Sequence, residues 1–202
     1  MPSKILLNDQ ESHFSEADLP ALVVYGHKSG GSRFSIEMMV DLFFRGSKIL
    51  FFTAFPMARD KFFEETAGYE ANILYVDSEQ KIAGAEQYQA IVIHSGNEPL
   101  YQQVVNTLPD MGERVVFIKN FETLSPDIVE HGVLLEKVIL SGDIDNCEEI
   151  KSICKKKYNS IIVFSQLETN LPIEVPPLEQ YTGFLKGYDR KGVVKLEIFD
   201  GE

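Results

Sequence analysis

Residues 21–55 constrain this chain more than any other stretch: ALVVYGHKSGGSRFSIEMMVDLFFRGSKILFFTAF. Five mostly β-branched or large apolar residues come first, then a glycine-bearing loop over 26–35, an amphipathic run, and KILFFTAF (48–55). A continuous apolar run of that length marks a strand covered on both faces. The amphipathic run predicts a helix over 33–45. It carries Phe34, Met38, Met39, Leu42 and Phe43 on overlapping helical rows, with Glu37, Asp41 and Arg45 between them. Gly46 supplies the stop.

The same alternation continues downstream. A helix over 56–68 opens on a proline and closes on a glycine. Strand NILYV (72–76), a short polar segment, strand AIVIH (90–94), a helix over 98–108 and strand RVVFI (114–118) follow. A looser segment over 119–134 leads to strand EKVIL (136–140), a helix over 145–157 and strand SIIVFS (160–165). Strands separated by helices of this length predict βαβ units, right-handed crossovers and a mainly parallel sheet. The tail differs. LPIEVPP (171–177) is proline-rich, and YTGFLKG and VVKLEIF flank YDRKG as an antiparallel hairpin extending one sheet edge. Residues 1–20 read as a loosely attached arm or lead-in strand, and 21–202 as a single α/β domain, the length one sizeable core requires.

A net charge of −12 argues against a broad non-specific nucleic-acid surface, which needs clustered Lys and Arg to displace counterions. Lys28, Arg33, Arg45 and Lys48 fall close together, a pattern read as a solvated face. No window approaches the roughly 18 apolar residues of a membrane span, and no signal-peptide pattern opens the chain, so a cytoplasmic location is expected. Cys147 and Cys154 would lie two turns apart on one helix, beyond disulfide reach. His13, His27, His94 and His131 are scattered away from them, so free thiols are expected and no metal site.

A glycine loop between a buried strand and a helix is where folds commonly hold phosphate, because the helix N-terminus offers unpaired N–H groups and partial positive charge. The phosphate-binding frame is GxxxxGK[ST], whose amides wrap the phosphates, whose Lys neutralises them and whose hydroxyl takes Mg²⁺. Gly26, His27, Lys28, Ser29, Gly30 and Gly31 satisfy the GxxxxG part; Ser32 and Arg33 follow where Lys and Ser/Thr belong. Losing a charge-assisted contact costs on the order of 1.5–3 kcal/mol. Lys28 or Arg33 could compensate from another angle, and Ser32 or Ser35 could offer magnesium an oxygen.

The chain resembles compact RecA-type P-loop ATPases of the KaiC-like group. The likeness is carried by ALVVYGHKSGGSRFS, by GSKILFFTAFPMARDKFFEETAG, by AIVIHSGNEPLYQQVVNTL as Walker B strand and helix, and by IIVFSQ as a late core strand. It implies a three-layer αβα fold and ATP or ADP with Mg²⁺ as the cofactor. It also implies that most of the catalytic set is replaced. Ser32 stands at the Walker A lysine, and Phe55 or Pro56 at the catalytic glutamate. The Walker B aspartate falls at His94, or at Asn120 if RVVFIKN is that strand. ILYVD offers Asp77 with Glu79 nearby, and Gln166 stands where a γ-phosphate sensor would.

The expected protein is therefore a degenerate RecA-like homologue without hydrolysis and with weak or no ATP binding. It would act as a structural or regulatory partner in a homo-oligomer, or in a hetero-oligomer with a RecA-like protein. The competing reading is a divergent active ATPase using Lys28 or Arg33 as phosphate cation and Asp77 or Glu79 at the metal. An SGGxDS pyrophosphatase-type loop needs an acid where Arg33 stands, and no GxGxxG dinucleotide fingerprint follows the first strand.

Overall fold

The structure, a computed structural model, describes residues 3–26, 28–44, 48–53, 64, 72–76, 87–95, 114–143, 153, 155–164 and 173–198. The helix expected over 98–108, all of that over 56–68 but residue 64, most of that over 145–157, and both cysteines lie outside this set. So do Gly46, Phe55 and Pro56.

The described strands are β1 (Ser3–Leu7), β2 (Gln10–Glu11), β3 (Ala21–Tyr25), β4 (Lys48–Thr53), β5 (Asn72–Val76), β6 (Ala90–Ser95), β7 (Val115–Lys119), β8 (Val138–Gly142), β9 (Ser160–Phe164), β10 (Thr182–Gly187) and β11 (Lys191–Ile198). They form one sheet in the order β2-β1-β11-β10-β9-β3-β8-β7-β6-β4-β5. Strands β3 to β9 pair in parallel, and β10, β11, β1 and β2 extend the sheet antiparallel beyond β9. This is a mostly parallel, mixed α/β sheet. The first glycine-loop strand, β3, is interior, held between β8 and β9.

Its position explains its composition. Side chains alternate across a strand, so a strand covered on both faces must be apolar at successive positions. Leu22 and Val24 of β3 join one apolar cluster, and Ala21, Val23 and Tyr25 join the other. Strand β4 divides the same way, Leu50 and Phe52 against Ile49 and Phe51. Helix α1 (Gly31–Met39) lays Phe34, Ile36, Met38 and Met39 on the second cluster, while α2 (Pro126–Leu134) lays Ile128 and Val129 on the first.

Three expectations are corrected. The helix predicted over 33–45 begins at Gly31, and its α-geometry ends at Met39, passing into a π-turn over Val40–Phe44. Glu37, expected on the polar rows, is buried and ion-paired with Arg33 one turn back, at 2.5 Å. The segment 119–134, expected to be loose, contains a 3₁₀ turn (Phe121–Thr123) and the whole of α2. Gly132 and His131 weaken the helical signal there. Pro126 at the first turn is nevertheless a good helix start.

The lead-in segment is also docked rather than loose. Strand β1 pairs with β11, and Phe14 is buried edge-on against Phe34 of α1, with ring centres 5.9 Å apart. Arg190, in the turn between β10 and β11, donates to Ser12 Oγ, His13 O and Asp18 Oδ1 and lies over the Phe14 ring. Among the described residues no helix is long and apolar enough to cross a membrane.

Candidate functional site

The parity of the strands decides which side chains meet beside the glycine loop. In β7, Val115 and Phe117 face the cluster under α1, so Lys119, two residues on, faces the same side. The same counting puts His94 after Val92, Ser141 after Ile139 and Tyr25 after Val23 on that face. All four stand at the carboxyl ends of parallel strands, where open α/β sheets place their ligands.

The loop itself is a short turn. Ser29 donates to Gly26 O through its backbone N–H (3.3 Å) and through Oγ (2.9 Å). Lys28 is exposed with φ +57°, and Gly30, with φ +91°, caps α1 in a left-handed conformation that glycine adopts without strain. The helix starts at Gly31, and its N–H groups over the first turn point out of the helix end. Gly31 packs on Tyr25: a Cβ on the glycine would lie 2.3 Å from Tyr25 Cβ. The second glycine of the frame is thus required by packing alone.

The two alternative positions for a metal-holding carboxylate adjoin each other. Asn120 Nδ2 lies 3.3 Å from His94 Nε2, and Asn120 Oδ1 accepts from the Tyr25 hydroxyl at 3.0 Å. Ser141 Oγ donates to the Tyr25 oxygen at 3.3 Å. His94 also tilts against Phe51. Imidazole, amide, phenol and hydroxyl form one connected polar network under the loop.

Beside it, Ser32 Oγ accepts a hydrogen bond from Lys119 Nζ at 2.8 Å. Lys119 is only 3% exposed. Arg33 is turned along the helix to Glu37. A pocket of about 380 Å³ is lined by Tyr25, Gly26, Lys28, Ser29, Gly30 and Ser32 together with Glu122 and Asp143. Glu122 Oε2 accepts from the Asp143 backbone N–H at 3.0 Å. Burial raises the Glu122 carboxyl above its ordinary value. The backbone N–H groups of Glu122 and Asp143 oppose that rise, the Asp143 carboxylate adds to it, and the Lys119 charge lowers it.

Of the residues expected at the site, Gly26, Lys28, Ser29, Gly30 and Ser32 line this pocket, Gly31 supports it and Arg33 is engaged elsewhere. His94 stands in the network below, while His27, Asp77, Glu79 and Gln166 lie outside the described residues. Lys119, Glu122, Asp143 and Tyr25 were not expected from sequence. Strand-end runs such as RVVFIKNFE and KVILSGD carry the signal, since the residues just past a parallel strand gather at one sheet end. Among the described residues no group of three or more His, Cys, Asp and Glu could hold a metal ion.

The sheet and site define an α/β protein with a glycine loop at the carboxyl end of an interior parallel strand. No family model and no curated protein matches the chain. Among solved structures it is similar to the cytoplasmic domain of the Thermomonospora curvata Type VII secretion ATPase EccC, at 10% identity and a TM-score of 0.44. That match covers 98% of this chain, which spans 26% of the length of the EccC chain.

Proposed function

We propose that the chain is a three-layer, RecA-like P-loop scaffold of the KaiC-like kind that has lost nucleotide hydrolysis. In this reading it serves as a structural or regulatory partner, assembled with its own copies or with a RecA-like protein, and binds ATP weakly or not at all. The observation that carries the reading is the hydrogen-bonded pair His94 and Asn120. Hydrolysis needs a magnesium anchor, a cation at the phosphates and an oriented water. Magnesium takes hard oxygen ligands, usually a carboxylate. Here one candidate anchor is an imidazole, and the other is an amide whose oxygen already accepts from Tyr25.

The loop also lacks the cation that the phosphates of a nucleotide require at its usual position. The loop position of the phosphate lysine is a serine, and Arg33 beside it is ion-paired with Glu37. The partner role follows from elimination: a scaffold without this chemistry serves by what it holds.

Purified protein tests the reading directly. Melting temperature should be unmoved by millimolar ATP or ADP with Mg²⁺, and phosphate release should stay at the no-enzyme rate. Magnesium-dependent turnover that disappears in Asp77→Asn would overturn it in favour of the divergent ATPase using Lys28 or Arg33 and Asp77 or Glu79. Light scattering across a concentration series reports self-assembly.

A further inference from the structure

The hydroxyl that replaced the phosphate lysine has itself acquired a buried amine, and that pair has a chemistry of its own. We propose that Ser32 and Lys119 form a nucleophile and general-base dyad for acyl transfer, acting on a neutral or cationic ester or amide bound in the glycine-loop pocket. The inference does not depend on the lost-ATPase reading.

Three features meet at one atom. Ser32 lines the pocket and is partly exposed. Lys119 Nζ lies 2.8 Å from that oxygen, inside the roughly 2.6–3.2 Å reach required of a general base. Ser32 also sits in the first turn of α1, whose first backbone bond back into the turn is Phe34 N–H to Gly30 O. The N–H groups ahead of Phe34 therefore point out of the helix end, where they can receive a developing oxyanion.

The dyad needs the amine neutral. Burial disfavours the ammonium, and so does the positive end of α1. The carboxylate of Glu122 acts the other way, and Asp143 and Lys28 are the other charged groups among the described residues lining the pocket; Lys119 has an interaction besides the one with Ser32. With the amine neutral, the observed bond reverses and the Ser32 hydroxyl donates to Lys119 Nζ. The Oγ–carbon bond then forms as the hydroxyl proton passes to Nζ and the carbonyl electron pair moves to oxygen. Collapse breaks the bond to the leaving group, which departs with the proton from Nζ and leaves acyl-Ser32. Water repeats the sequence: its proton passes to Nζ, the acid is released, and Ser32 Oγ recovers the proton. The carboxylates lining the pocket, Glu122 and Asp143, disfavour polyanionic acyl donors.

The test uses the full chain with a fluorophosphonate probe and with p-nitrophenyl acetate, read by intact mass, peptide mapping and nitrophenol release. The expected result is one label per chain on Ser32, none in Ser32→Ala, and a loss of roughly 10²-fold or more in labelling rate in Lys119→Met. Lys119→Arg keeps a hydrogen-bond donor beside Ser32 but cannot take the proton, so it should fail equally, with its melting curve showing that the chain still folds. An unlabelled Ser32 in the folded parent overturns the proposal, as does Lys119→Arg labelling at the parent rate. ATP assays have no bearing on either outcome, so this proposal and the lost-ATPase reading fail separately.

Discussion

Gly31 and Tyr25 are in contact so close that a Cβ on Gly31 would fall 2.3 Å from Cβ and 2.8 Å from Cγ of the tyrosine. Tyr25 is itself fixed, buried at the end of β3 and hydrogen-bonded to Asn120. Gly31→Ala should therefore destabilise the protein by about 1–3 kcal/mol through overpacking. Urea titration in the absence of any nucleotide checks this. An unchanged midpoint would show that the loop can shift away from Tyr25. A charged residue at Gly31 would report on folding before it reported on binding.

The Tyr25 hydroxyl ties β3 to the ends of β7 and β8 through Asn120 and Ser141. Tyr25→Phe keeps the ring and takes one hydrogen-bond partner each from Asn120, which is partly buried, and Ser141, which is fully buried. The expected loss is about 1–2 kcal/mol. Double-mutant cycles with Asn120→Ala should show coupling, and strict additivity would mean the network is not cooperative.

Glu122 gives a pH dependence with a definite sign. Burial holds its folded-state pKa above the ordinary 4.5, so between the two values the folded state carries more protons than the unfolded. Stability from this group therefore falls as pH rises through that window and stays reduced above it. Glu122→Gln should melt higher than the parent at pH 7.5, with the gap closing as pH is lowered toward 4.5. Calorimetry across that range decides it; a gap that widens on acidification would reverse the assignment.

Arg190 fastens the lead-in segment to the hairpin, with its ion pair to Asp18 at 2.7 Å largely shielded from water. Arg190→Ala removes three charge-assisted hydrogen bonds and the contact with the Phe14 ring. A loss of roughly 2–3 kcal/mol is expected. Limited proteolysis should cut within residues 8–20 before the rest of the chain unfolds. Resistance equal to the parent would show that β1 pairing alone holds the segment.

Most strands were legible because each is a local fact: apolar runs with β-branched and aromatic residues between glycine and proline punctuation. β3 and β5 fall where the pattern puts them, and β7 and β8 end a residue or two later than expected. Helix α2 was missed because its apolar face is short and interrupted by Gly132, while its register against β7 and β8 supplies the stability its sequence lacks.

By itself, the sequence determined that β3 is a two-sided buried strand followed by a glycine turn and a helix, since those depend on residues a few positions apart. Only the tertiary structure decided what surrounds that turn. Lys119 reaches Ser32 from 87 residues away, Asn120 reaches Tyr25 from 95, and Glu122 meets Asp143 across 21. Strand order and register set those meetings, and neither is encoded by any single stretch of chain: each is fixed by which apolar faces can be buried together.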